Sequence, residues 1–193
     1  MGGVSDGSTR RGLLGRLAGL AGLGPFRRRR GDALGRRELA GGISLGRSPS
    51  LREIEILARK LNVRSLLNLN TEGESGEQLS PNVEASWAHA YALHHERLSI
   101  DVGVLRSEWV EAFGETLRRI PKPVYVHSRL GRRAAALMAI HEALAGGMAG
   151  GAALERARAL GLEGPADALE DFVVAQVDLR APAPAAAFGT ARS

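Results

Sequence analysis

From Val124 to Ala134 the chain reads VYVHSRLGRRA. The apolar triplet predicts a strand, Gly131 a tight turn and the alanine-rich continuation a helix, so the polar residues between them fall on one loop. Successive N–H groups curling into a helix N-terminus form a concave donor site, and the helix dipole favours an anion there. Arg129, Arg132 and Arg133 make that anion a phosphate, because a guanidinium pairs with two phosphate oxygens at once in a geometry that lysine lacks. The expected phosphate-binding residues are Ser128, Arg129, Leu130, Gly131, Arg132 and Arg133. Arg129 and Arg132 are also readable as solvent-facing charges.

Ser128 is a poor nucleophile, because its alcohol stays protonated near neutral pH and needs an adjacent base that the motif does not supply. The chain contains no cysteine, which excludes disulfide scaffolds, cysteine-ligated zinc or iron–sulfur clusters and thiolate catalysis. His89, His94 and His95 have metal-binding chemistry, but His94 and His95 point to different faces, so packing is the expectation; no metal or other cofactor is called for. Neither Ser107 nor Asp101 makes a convincing hydrolase triad with His127, and there is no Gly-x-Ser-x-Gly elbow.

The elements that must position this loop begin at Gly41. Gly42 to Gly46 is a short strand or turn, and Ser48-Pro49-Ser50 with Glu53 reads as a capping box opening a helix whose apolar face is Ile54, Leu57, Ala58 and Leu61. Val63 to Leu69 is a buried strand, followed by a polar loop from Asn70 to Gly76 at the end where open α/β sheets bind ligands. Asn82 to Leu93 is a second helix and Glu96 to Ile100 a second core strand. Ser107 to Ile120 is a third helix, stopped by Pro121-Lys122-Pro123. A helix from about Ala134 to Ala145 follows the loop, and two more, near Ala152 to Leu160 and Pro165 to Val177, close the body. Alternating strands and helices predict an α/β fold, a three-layer sandwich with a mainly parallel sheet of four or five strands.

The loop resembles the phosphate-binding loop of the protein-tyrosine and dual-specificity phosphatases, His-Cys-x(5)-Arg. It is closer still to the shorter His/Tyr-Cys-Arg-Ser-Gly-Thr-Arg-Ser form in the phosphatase-like domain of the beta-lactamase hydrolase-like family. On that match His127 precedes the nucleophile, Ser128 stands where the family has Cys, Gly131 is the loop glycine and Arg133 is the clamping arginine. The longer form of the loop would place its Arg at position 134, which is Ala here. Gly46 to Ser50 and Val63 to Leu69 are similar to the family's opening strand, Pro-containing helix start and Leu-Asn-Leu strand, and the last two helices fit its C-terminal helical pair, so the likeness covers roughly residues 42–178. The resemblance implies the loop at the switch point of the sheet, and Asp101, 27 positions before Ser128, as general acid.

Charge divides the chain. Residues 1–41 hold nine Arg against Asp6, Asp32 and Glu38, whereas the remainder has 17 basic and 18 acidic residues, so the high isoelectric point belongs to a leader and the body is near neutral. A basic nucleic-acid-binding surface on the body is therefore not expected. The leader, residues 1–41, has Leu13, Leu17, Leu20 and Leu23 at helical spacing among many glycines, and is read as solvated chain. Residues 10–37 are also compatible with an anionic membrane surface, since each basic residue near one contributes about 1 kcal/mol. Arg16 interrupts the apolar stretch after Arg10-Arg11, which disfavours export. Residues 42–178 are the phosphatase-like domain and 179–193 a Pro/Ala-rich tail. The expected function is a cytoplasmic, phosphatase-like domain binding a phosphorylated protein or small phosphoester. Turnover is expected to be lost or impaired because Ser128 replaces Cys, as a natural pseudophosphatase or a Cys-to-Ser trapping variant. An active phosphomonoester hydrolase and a rhodanese-like domain are the alternatives.

Overall fold

The apolar runs around Leu45, Leu66 and Tyr125 become the inner strands, and the stretches between them become helices. The computed structural model describes residues 27–28, 34–74, 78–164 and 167–181. In chain order these form β1 (Arg27–Arg28), β2 (Arg37–Leu39), a 3-10 turn (Ala40–Gly42), β3 (Ile43–Arg47), α1 (Leu51–Arg59), β4 (Ser65–Asn68) and α2 (Pro81–Ala90). There follow β5 (His94–Arg97), α3 (Glu108–Arg119), β6 (Val124–Ser128), α4 (Arg132–Gly146), α5 (Gly150–Leu160) and α6 (Ala168–Arg180).

The strands make one sheet in the order β1-β2-β3-β6-β4-β5. The four strands β3, β6, β4 and β5 are parallel, as predicted, and β2 and β1 add an antiparallel edge beside β3. Residues on β6 alternate between two cores. Val124 and Val126 join Leu45, Leu67 and Phe113 beneath α3 to α6, while Tyr125 joins Leu34, Ile54, Leu57 and Leu66 beneath α1. This period of two places one helical layer on each face of the sheet. Helix α4 is buried almost all round, with Ala134 to Ala136 and Ala139 fully covered, and packs against α3, α5 and α6. Its small side chains let those helices approach closely, as expected of a helix apolar on every face.

The capping box opens α1 as predicted: the Ser50 N–H donates to the Glu53 carboxylate at 2.8 Å, and Arg47 Nη2 pairs with it at 2.6 Å. The second core strand lies earlier than predicted, at His94–Arg97 rather than Glu96 to Ile100, because the backbone pairs His94 with Ser65 and Arg97 with Asn68. Leu98 and Ile100 still reach the core, from an irregular segment whose N–H groups donate to Asn68 O and Leu69 O. The body also begins before residue 42. Leu34 is 3% exposed in the core and β2 pairs along β3, so residues 34–41, assigned to the leader on charge, belong to the folded body. The rest of the leader, save the Arg27–Arg28 pairing, and the tail beyond 181 lie outside the described residues. No helix among the described residues is long and apolar enough to cross a membrane.

Candidate functional site

The loop after β6 stands at the C-terminal end of the central strand, between β3 and β4. The Gly131 N–H donates to Ser128 O at 3.0 Å and closes the turn, and the Ala135 N–H donates to Gly131 O to begin α4. The first-turn N–H groups before Ala135 therefore have no intrahelical acceptor, as at every helix start. Gly131 is required twice. Its φ of +82° lies in the left-handed region, and a Cβ would sit 3.2 Å from the backbone of Gly46. Gly46 is confined in turn: a Cβ there would collide with the Tyr125 hydroxyl and lie 2.9 Å from Leu34 O. That hydroxyl donates to Arg47 O at 2.6 Å.

On the other flank the loop is held by side chains. Asn70 Oδ1 accepts from the Arg129 N–H at 2.7 Å and from Arg133 Nη2 at 3.0 Å. Asn70 Nδ2 donates to Ser48 Oγ at 2.8 Å, which lies 3.4 Å from His127 Nδ1. His127 is fully buried and stacks on Tyr125; its Nε2 is 3.0 Å from Glu84 Oε1. His95 Nε2 is 3.0 Å from the same oxygen, and Asn68 Nδ2 donates to Glu84 Oε2 at 3.1 Å. Burial pushes the Glu84 carboxyl upward, but the charge and hydrogen bonds of His127 and His95 outweigh it and hold the pKa at about 2. A chain of buried polar groups thus runs from α2 under the sheet end to the loop.

Arg133 is 5% exposed. Its Nη1 donates to Leu69 O at 3.1 Å and Ile100 O at 2.8 Å, and both Glu74 oxygens lie 2.6 Å from its Nη2. A cavity of about 100 Å³ opens beside it, walled by Ser128, Arg129, Arg132, Arg133 and Glu74 and by apolar side chains that include Val102 and Leu169. Ser128 is 1% exposed, and its Oγ has no hydrogen-bond partner among the described residues. Leu130 stands exposed at the rim. Arg132 Nη1 pairs with Asp167 at 2.6 Å, and Arg129 is the most exposed of the three arginines. A larger cavity, about 360 Å³, lies on the β3 flank against Gly46 and Gly131; neither Ser128 nor Arg133 lines it.

The structure therefore brings together Ser128, Arg129, Leu130, Gly131, Arg132 and Arg133. Asp101 is exposed in the loop after β5, where its Oδ1 accepts from the Gly103 N–H at 2.8 Å, and it is not among the cavity walls. Its neighbours Ile100 and Val102 are the ones that touch the site. Sequence reading did not single out Glu74, Asn70 or Glu84. Asn70 and Glu74 do lie on the polar loop after β4, at the ligand-binding end of the sheet. His94 is exposed beside Glu96, and His95 serves Glu84; among the described residues no cluster could hold a metal ion.

This sheet order, with a strand, tight loop and helix at its centre, is a fold shared with solved structures of protein-tyrosine and dual-specificity phosphatase-like proteins. Among solved structures it is similar to the core catalytic domain of the S. cerevisiae PP-IP phosphatase SIW14 in complex with citrate (16% identity, 72% of this chain and 82% of that one, TM-score 0.59). It is similar also to a cysteine-to-serine variant of P. aeruginosa TpbA in complex with phosphotyrosine (16% identity, 76% and 89%, TM-score 0.58). A third is PTPMT1 in complex with PI(5)P (20% identity, 72% and 91%, TM-score 0.55). No family model and no curated protein sequence matches the chain.

Proposed function

We propose that this phosphatase-like domain binds phosphate esters in the loop 128–133 and is catalytically impaired. The observation that carries the reading is the buried, multiply anchored Arg133 guanidinium beside a cavity that Ser128 also walls. An anion there meets Arg133, Arg129 and the first-turn N–H groups of α4, which together favour a phosphate.

Turnover needs an activated nucleophile, and among the described residues no base is hydrogen-bonded to Ser128 Oγ. The nearest imidazole, His127, turns its Nε2 toward Glu84 and its Nδ1 toward Ser48, away from the service a serine nucleophile requires. At the same place the surrounding arginines and helix N-terminus would stabilise a thiolate and lower the pKa of a thiol into the neutral range, whereas an alcohol starts too high to be ionised. The TpbA variant, in which a serine stands in place of a cysteine, holds phosphotyrosine, which supports binding without turnover as a workable state of this fold. The candidate ligands are a phosphorylated protein or a small phosphoester.

Two substitutions test this. Arg133→Ala is expected to abolish binding of phosphotyrosine measured by calorimetry, and unchanged affinity overturns the assignment. Ser128→Cys is expected to gain phosphatase activity on an aryl phosphate, while hydrolysis by the unaltered chain removes the claim of impairment.

A further inference from the structure

Resting on the reading of the loop as a phosphate site, we propose that Glu74 is an internal anion that a phosphate must displace from Arg133, and that it thereby sets the affinity of the site. Glu74 touches Arg133 with both oxygens, at 2.6 Å, and its Oε1 lies 3.7 Å from Arg129 Nε. Its side chain walls the same cavity as Ser128, and among the described residues no other carboxylate does. The carboxylate therefore occupies the cationic donors that an incoming phosphate would use.

Glu74 is not needed to aim the guanidinium. Leu69 O, Ile100 O and Asn70 Oδ1 already fix both terminal nitrogens of Arg133 from the protein side. What the carboxylate adds is charge. Arg133 is buried, where charge is poorly screened, while the Glu74 side chain is 21% exposed and can turn to water. A phosphate dianion entering the cavity meets a like charge and competes for Nη2. The observed affinity is then the intrinsic one reduced by the fraction of molecules whose Arg133 is released.

The opposite role, a carboxylate that aligns Arg133 for its ligand, predicts the opposite sign, so one titration decides. Inorganic phosphate is titrated into the full chain as the unaltered protein and as Glu74→Gln, Glu74→Ala and Arg133→Ala, at fixed pH and ionic strength. Backbone amide resonances report both binding and the folded state of each variant. Glu74→Gln keeps a hydrogen-bond acceptor but not the charge and is expected to bind about tenfold tighter; Glu74→Ala is expected to follow it, and Arg133→Ala to lose binding. If the unaltered chain binds and both Glu74 variants bind equally or more weakly, the internal-anion role is overturned and the phosphate site stands. If neither the unaltered chain nor either Glu74 variant binds, both are overturned.

Discussion

The two flanks of the loop after β6 are built on opposite principles. Toward β4 it is held by a string of buried polar side chains, from Arg133 and Asn70 through Ser48 and His127 to Glu84. Toward β3 it is held by the absence of side chains, with Gly131 laid against Gly46 and Gly46 against Tyr125. The polar flank fixes the orientation of the guanidinium, since each donor has a designated acceptor. The glycine flank fixes the distance, since nothing larger than hydrogen fits. The proposed anion site would need both, and here they come from different strands.

Breaking the glycine flank should have the largest effect. Gly46→Ala forces Tyr125 to move and leaves a buried hydroxyl without Arg47 O, so a loss of about 3 kcal/mol or more in urea unfolding is expected; an unchanged midpoint would show that the contact is slack. The polar flank comes next. Glu84→Gln keeps the shape but removes the charge that His127 and His95 face, at a cost of about 2 kcal/mol. It should also change the acid limb. The folded Glu84 carboxyl is held at about 2, below its ordinary 4.5, so the native state binds fewer protons than the unfolded one. The stability this contributes is present above pH 4.5 and is lost as the pH falls toward 2. Unfolding free energies measured across that window should fall less steeply for the variant, and parallel curves would remove Glu84 from the account. The smallest effect belongs to a glycine outside either flank. Gly151 on α5 has open space where a Cβ would go, so Gly151→Ala should stabilise by about 0.5 kcal/mol, and a loss there would mean that glycine is required more widely than contact geometry implies.

Much of this organisation was readable in the residues. The alternation of VYV, VRSLLNL and amphipathic stretches carried the parallel sheet, and Ser50 with Glu53 marked the start of α1 because a capping box is a local device. The loop from Ser128 to Arg133 was equally local. What escaped was set by tertiary pairing. Leu34 and the strand Arg37–Leu39 lie in a stretch dominated by charge, and their pairing with β3 uses backbone groups that every residue has. The strand His94–Arg97 is polar because it is an edge strand and lends His95 to Glu84, while the apolar Leu98 and Ile100 that suggested a strand pack from irregular chain. Glu74 and Glu84 have no periodicity to betray them; each acquires its role only when a loop or helix distant in sequence is folded against β6. Asp101, by contrast, was singled out by type and spacing, and its Oδ1 accepts from the Gly103 N–H beside the cavity wall formed by Val102.

All five residues of β6 are buried; Val124 to His127 are paired on both sides, by β3 and by β4, and Ser128 is paired with β3. Such a strand belongs to the part of a domain that opens only when everything opens. The candidate site is continuous with it, through Ser128, instead of hanging from a separate lobe. An anion captured there is therefore linked to the cooperative unfolding of the whole domain, and at a hundred times its dissociation constant it would raise the global unfolding free energy by about 2.7 kcal/mol.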